Sequence, residues 1–134
     1  MQYQIIKIPS VKTNKSGQLS FFEGERNIPF QIKRIYYIAG VHAGEKRGAH
    51  AHKSLKQFLF CPYGSVTVIL NDGQNEENVI LDDPNLGLLL FPGLWRDIVW
   101  NVDLSVLCVA VSDFFSEDDY IRDFKEYKKF LEAK

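Results

Sequence analysis

The sequence predicts an all-β fold, a sandwich or barrel finished by one C-terminal α-helix, and three observations support it. Apolar or alternating runs recur about every eight to twelve residues between Tyr3 and Val111. Turn chemistry separates them, at Pro9, Asn71-Asp72-Gly73, Asp83-Pro84-Asn85 and Pro92-Gly93. Beyond Ser116 the apolar spacing lengthens to that of a helix, at Tyr120, Phe124, Tyr127 and Leu131.

Residues 3–8 (YQIIKI) read as a short strand ending at Pro9, and VKTNKSGQ as a polar turn in which Gly17 takes a positive φ. LSFFEGE opens a second strand that breaks at Gly24. Residues 27–41 (NIPFQIKRIYYIAGV) alternate after Pro29, with Phe30, Ile32, Arg34, Tyr36 and Ile38 on one face. Gln31, Lys33, Ile35 and Tyr37 take the other. HAGEKRG (42–48) is expected to be a loop in which His42 is solvated. HAHKSLKQFLFC follows, and Pro62-Tyr63-Gly64 makes a turn.

SVTVIL runs into the hairpin signal at Asn71-Asp72-Gly73, and NVILDD, LGLLLF and DIVWNV are three further strands. LSVLCVAVSD is nearly all apolar, which suits a central strand buried on both faces. Ser116 is expected to cap the helix, with Glu117, Asp118 and Asp119 at its positive end and Lys128, Lys129 and Lys134 towards its close. The apolar helix face is expected to pack on the sheet or on a partner subunit.

With 134 residues, 46% of them apolar and 25% charged, the chain reads as a single domain, 1–134. A net charge of −1 and a pI near 6.3 give no basic footprint for nucleic acid. No run approaches the ~18 apolar residues that mark a membrane span, and the N-terminus lacks the pattern of a signal peptide. Cys61 and Cys108 each lie in an apolar run, as free buried thiols do in a reducing cytoplasm. The expected location is cytoplasmic.

The chemistry concentrates between Gly44 and Gly64. His50 and His52 are two apart, so on a strand both side chains leave one face, with Gln57 nearby. Two imidazoles beside an amide serve either a metal site or a metal-free acid/base site. Gly44, five residues, His50, one residue, His52, four residues, Gln57, six residues and Gly64 resemble the first signature of the cupin superfamily, with Gln57 in place of its usual glutamate. That resemblance implies a small jelly-roll barrel, a double-stranded β-helix, with the histidines pointing into its mouth.

Within the cupins the chain is similar to the sugar 3,4-ketoisomerases acting on dTDP-4-keto-6-deoxyglucose. The pieces that carry the similarity are NIPFQIKRIYYI (27–38), RGAHAHKSLKQ (47–57), NDGQ (71–74), FPGLW (91–95) and SDFFSEDDYIRDF (112–124). The resemblance implies an isomerase of deoxysugar biosynthesis that moves the keto group from C4 to C3. No redox cofactor is required, because oxidation at C3 and reduction at C4 cancel. By the motif match His50 is the base, and His52 the partner that shuttles the second proton or positions the sugar. Arg96, Gln57 and Tyr37 are available donors for the charged intermediate. Arg34 and Arg47 offer forked donors to the diphosphate, Lys53 a point charge, and Trp95 a stacking surface.

Metal binding is the competing expectation. Gln57 is a poor ligand, and the slot where a metal-binding cupin places its third histidine holds Arg96 or Asp97, depending on the offset. Arg96 turned inward would repel a dication, whereas Asp97 turned inward leaves a His–His–Asp site arguable. Metal-free chemistry is the expectation; a dioxygenase-type metal cupin and a non-catalytic nucleotide-sugar-binding cupin are the alternatives. Ser16 and Arg96 depart from some relatives, which leaves the product epimer at C4 open. A homodimer is expected, because the N-terminal strand and the helix face are apolar surfaces hard to cover in so small a chain.

Overall fold

Two five-stranded antiparallel sheets face each other in the computed structural model, which describes residues 1–134. The strands in chain order are β1 (Tyr3–Lys7), β2 (Ser10–Thr13), β3 (Gly17–Ser20), β4 (Arg34–Ile38), β5 (Lys46–His52) and β6 (Gln57–Tyr63). Then come β7 (Val66–Asn71), β8 (Glu76–Leu81), β9 (Leu86–Leu90), β10 (Trp95–Trp100) and β11 (Val106–Val111). A 3-10 turn (Glu117–Asp119), β12 (Tyr120–Ile121) and the helix α1 (Phe124–Glu132) complete the chain. One sheet runs β1-β9-β6-β11-β4 and the other β12-β5-β10-β7-β8, with β2-β3 a separate hairpin. This is a jelly roll of the expected cupin type, made of two hydrogen-bonded sheets.

The main core fills the space between the sheets with Leu59, Val68, Leu70, Leu88, Leu90, Trp100, Leu107, Val109 and Val111 among others. β11 is buried on both faces as its composition demands: Leu107, Val109 and Val111 enter the main core, and Ala110 the cluster behind the sheet. That second cluster, Ile8, Ile28, Phe30, Phe58, Leu89 and Ala110, corrects the expected strand over 27–41. Only Arg34–Ile38 pair as a strand. Pro29 lacks a donor for a ladder, and Ile28 and Phe30 instead bury against the outer face of the β6-β9-β11 sheet.

Two further boundaries differ from expectation. The polar stretch after Pro9 is a β-hairpin whose register pairs Thr13 with Gly17, the latter at φ +76°. The helix starts later than Ser116, which makes no side-chain cap. Asp123 is the cap, accepting from the amides of Lys125 and Glu126. Residues 120–121 have joined β5 instead, Tyr120 opposite His52 and Ile121 opposite Ala51. The face of α1 packs on its own sheet, where Tyr127 is fully buried with Ala51, Trp95 and Ile121. The Tyr127 hydroxyl reaches the carbonyl oxygens of Gly93 at 2.7 Å and Asn71 at 3.0 Å. Both cysteines are free, and no helix is long and apolar enough to cross a membrane.

Candidate active site

A cavity of about 290 Å³ opens between the two sheets at one end. Cross-strand register decides what faces it. On one sheet Arg34, Val111, Gln57 and Leu90 lie in one row, and Tyr36, Val109, Leu59 and Leu88 in the next. Partners directly opposite share a face, so Arg34, Tyr36 and Gln57 come to the cavity together, with Leu59, Leu107 and Ile38 beneath.

On the other sheet His50 is opposite Arg96, and Arg47 is opposite Ile98. Regular alternation would send Arg47, three residues before His50, to the far face. A β-bulge prevents this: Gly48 at φ +99° and Ala49 at φ +55° insert one extra residue, and the register shifts between Arg96 and Asp97. Arg47 and His50 therefore both border the cavity. The backbones approach closely here, since a Cβ on Gly48 would lie 3.1 Å from the Arg96 carbonyl oxygen.

His50 Nδ1 lies 3.0 Å from the Gly48 carbonyl oxygen. Burial and the nearby Arg96 charge push its pKa down to about 4, so the imidazole is neutral at pH 7. His52 is fully buried, and its Nδ1 lies 3.0 Å from Asp119 Oδ2. Burial, Arg96 and His50 together push the His52 pKa down to about 3. Burial opposes ionisation of Asp119, but hydrogen bonds from Ser54 and His52 hold its carboxyl below the ordinary carboxylate range. Asp119 is thus an anion facing a neutral imidazole.

Arg96 is fully buried, and burial lowers its pKa only to about 10, so it stays cationic. Gln57 Nε2 donates to the Tyr36 hydroxyl oxygen at 3.2 Å. Four buried polar atoms around the site have no protein partner: Nε of Arg34, Nε of Arg96, Oε1 of Gln57 and Nε2 of His52. Orphans of this kind are rare because each costs about 1–3 kcal/mol.

The expected site residues thus divide. Arg34, Arg47, His50, Gln57 and Arg96 border one cavity. His52 and Lys53 border a neighbouring cavity of about 300 Å³, which shares Arg34 and Tyr120 with the first. Tyr37 is a correction: it is 71% exposed on the outer face of β4, and Tyr36 takes the inward position. Trp95 is another, because it lies buried under α1 with its ring 5.2 Å from Phe124, and borders neither cavity.

The offset between Arg96 and Asp97 resolves in favour of Arg96. Asp97 has the opposite parity, its Oδ2 accepts from Trp95 Nε1 at 3.4 Å, and it borders neither cavity. No three His, Cys, Asp or Glu side chains are grouped as metal ligands would be. His42 is exposed, 3.9 Å from Asp103.

Sequence reasoning missed Tyr36, Asp119, Tyr120 and Arg122. Tyr36 was legible, since it shares the face of Arg34. Tyr120 lies with its ring centroid 5.1 Å from His50 and 4.4 Å from His52, and the Arg122 guanidinium lies over the same ring, 4.1 Å from its centroid. Its presence in a helix-like pattern concealed it.

The family model for FdtA, WxcM-like, C-terminal, matches residues 1–132. The chain is 39% identical over 131 residues to a TDP-4-oxo-6-deoxy-alpha-D-glucose-3,4-oxoisomerase of Aneurinibacillus thermoaerophilus, covering 98% of this chain and 94% of that one. Its structure is similar to that of a 3,4-ketoisomerase from Helicobacter canadensis, with TM-score 0.95, 39% identity and 98% of each chain covered. It also resembles a histidine-to-asparagine mutant of the 3,4-ketoisomerase QdtA from Thermoanaerobacterium thermosaccharolyticum in complex with TDP-4-keto-6-deoxyglucose. That match has TM-score 0.94 and 36% identity, and covers 98% of this chain and 95% of that one. Matched along nearly its whole length, the chain belongs to the FdtA family of WxcM-like proteins.

Proposed function

We propose that this protein is a sugar-nucleotide isomerase, moving the keto group of dTDP-4-keto-6-deoxyglucose from C4 to C3. The family and the names of its relatives support the reaction. The observation that carries it on this chain is the pairing of His50 with Arg96 across β5 and β10, a neutral base opposite a buried cation.

The C4 ketone acidifies the C3 hydrogen. His50 Nε2 removes that proton, the C–H pair forms a C3–C4 double bond, and the carbonyl pair moves onto the C4 oxygen. Arg96, with its unpartnered Nε, is the preorganised donor for that enediolate oxygen. The same guanidinium holds His50 weakly basic before reaction; negative charge arriving beside Arg96 offsets it, and the imidazole gains basicity as the proton comes over. The hydroxyl proton then passes from the C3 oxygen to the C4 oxygen. A proton returned to C4 from the imidazolium completes the exchange, with no electrons entering or leaving. Gln57 Oε1 accepts from a sugar hydroxyl, and Arg34 and Arg47 face the anionic diphosphate at the cavity mouth. Lys53 adds a cation beside the second cavity.

Incubation with dTDP-4-keto-6-deoxyglucose in heavy water tests the reading. NMR is expected to show the ketone at C3 and deuterium at C4; a ketone that stays at C4 overturns it. The proposal includes a cytoplasmic location, where the free Cys61 and Cys108 stay reduced. It also includes a homodimer built on the outer face of the β1-β9-β6-β11-β4 sheet, where Ile35, Tyr37 and Tyr63 are exposed. Light scattering on the purified protein giving a monomer mass would remove that part.

A further inference from the structure

We infer that Asp119 is a positioning residue of this isomerase, acting through His52: it fixes the imidazole with hydrogen on Nδ1, leaving the Nε2 lone pair for the hydroxyl-proton transfer. The inference rests on the function proposed above and deepens it.

The geometry is built from several elements. Pairing of β12 with β5 sets Tyr120 opposite His52 and brings Asp119 Oδ2 to 3.0 Å from His52 Nδ1. The second oxygen, Oδ1, accepts from the Ser54 amide at 2.9 Å and the Ser54 hydroxyl at 2.7 Å, so the carboxylate cannot rotate freely. The backbones are tied as well, Lys53 amide to Asp119 carbonyl at 2.9 Å and Gly93 amide to His52 carbonyl at 2.8 Å. An ionised carboxylate only accepts, so the hydrogen between the two residues belongs to Nδ1 of His52.

The other nitrogen is where the arrangement departs from a structural one. A histidine kept only for packing would have both ring nitrogens satisfied. Nε2 of His52 is buried and has no partner, beside the rings of His50 and Tyr120. Besides the carbon-bound hydrogen, the sugar hydroxyl hydrogen is the one proton that the reaction must relocate. That proton leaves the C3 oxygen for Nε2, its O–H pair going to the C3 carbonyl. The resulting imidazolium is stabilised by the adjoining Asp119 anion and gives a proton to the C4 oxygen. His52 ends as it began. Asp119 thus selects the shuttle role for His52 over simple contact with the sugar.

The test uses full-length protein labelled with nitrogen-15. In wild type the histidine spectra are expected to show His52 protonated on Nδ1. In Asp119→Asn the amide can donate to Nδ1, which favours the opposite tautomer. Turnover is then expected to fall about 100-fold or more with KM little changed, and Asp119→Glu to recover part of the loss. A folded Asp119→Asn with unchanged turnover, or with His52 still protonated on Nδ1, overturns the inference. Should that variant not fold, Ser54→Ala frees Oδ1 and is expected to lower turnover by less; unchanged turnover and tautomer there overturn it too. Failure of the wild type to isomerise dTDP-4-keto-6-deoxyglucose would refute the proposed function alone, because the tautomer measurement judges Asp119 separately.

Discussion

Nδ1 of His50 lies 3.0 Å from the carbonyl oxygen of Gly48, two residues earlier in the same bulge. A carbonyl only accepts, so Nδ1 bears the hydrogen and Nε2 keeps the lone pair. The backbone of one bulge therefore orients the base and fixes its tautomer. Gly48→Ala places a side chain at φ +99° and 3.1 Å from the Arg96 carbonyl. It is expected to cost about 1–3 kcal/mol of stability and about 10- to 100-fold in turnover. Denaturant titration and steady-state kinetics check both; wild-type values in each would mean that the bulge does not hold the ring.

His50→Asn removes the proposed base while keeping much of the side chain's volume. Turnover is expected to fall by about 10²- to 10⁴-fold, with dTDP affinity by calorimetry altered only slightly. Retained turnover would take the base role from His50, and lost dTDP binding would make its role one of binding.

Acid should act on this fold through its two buried imidazoles. Both titrate well below the ordinary histidine value, His50 at about 4 and His52 at about 3. The unfolded chain therefore binds more protons than the native one from about pH 6.5 down to about pH 3. Stability is full above that window and falls as pH drops through it, which urea midpoints across the range will measure. For the same reason the acid limb of kcat/KM is expected near pH 4–5; a limb centred at 6.5 would show His50 unperturbed.

Tyr36 and Tyr37 are adjacent, yet their removal should differ. Tyr36→Phe strips the partner from the buried Gln57 Nε2, at a cost of about 1–3 kcal/mol, and is expected to raise KM or lower turnover. Tyr37→Phe, on the exposed face, should leave kinetics unchanged. Thermal melts and kinetics on the pair decide; a neutral Tyr36→Phe, or a Tyr37→Phe with impaired kinetics, would overturn the assignment.

What could be read from the chain was what period-two alternation and signature spacing encode. The parity that puts His50 with His52 also puts Arg34 with Tyr36, and preferring Tyr37 went against it. The bulge at Gly48-Ala49 was not legible, because counting by twos assigns Arg47 to the wrong face. Ser116 followed by three acids resembles a helix start, but the edge of β5 captured Tyr120 and Ile121 before the helix could begin at Asp123. Asp119 and His52 are 67 residues apart, and no local pattern announces that they meet.

Trp95, seated beneath α1 and touching the Tyr127 cluster, gives the molecule an optical gauge of its own tail. The only other indole, Trp100, is sealed in the main core with Nε1 donating to the Ser105 carbonyl. Detachment of the tail would wet the first fluorophore and leave the second dry, so a red shift in emission ahead of barrel melting would mark the release of the tail as a separate event.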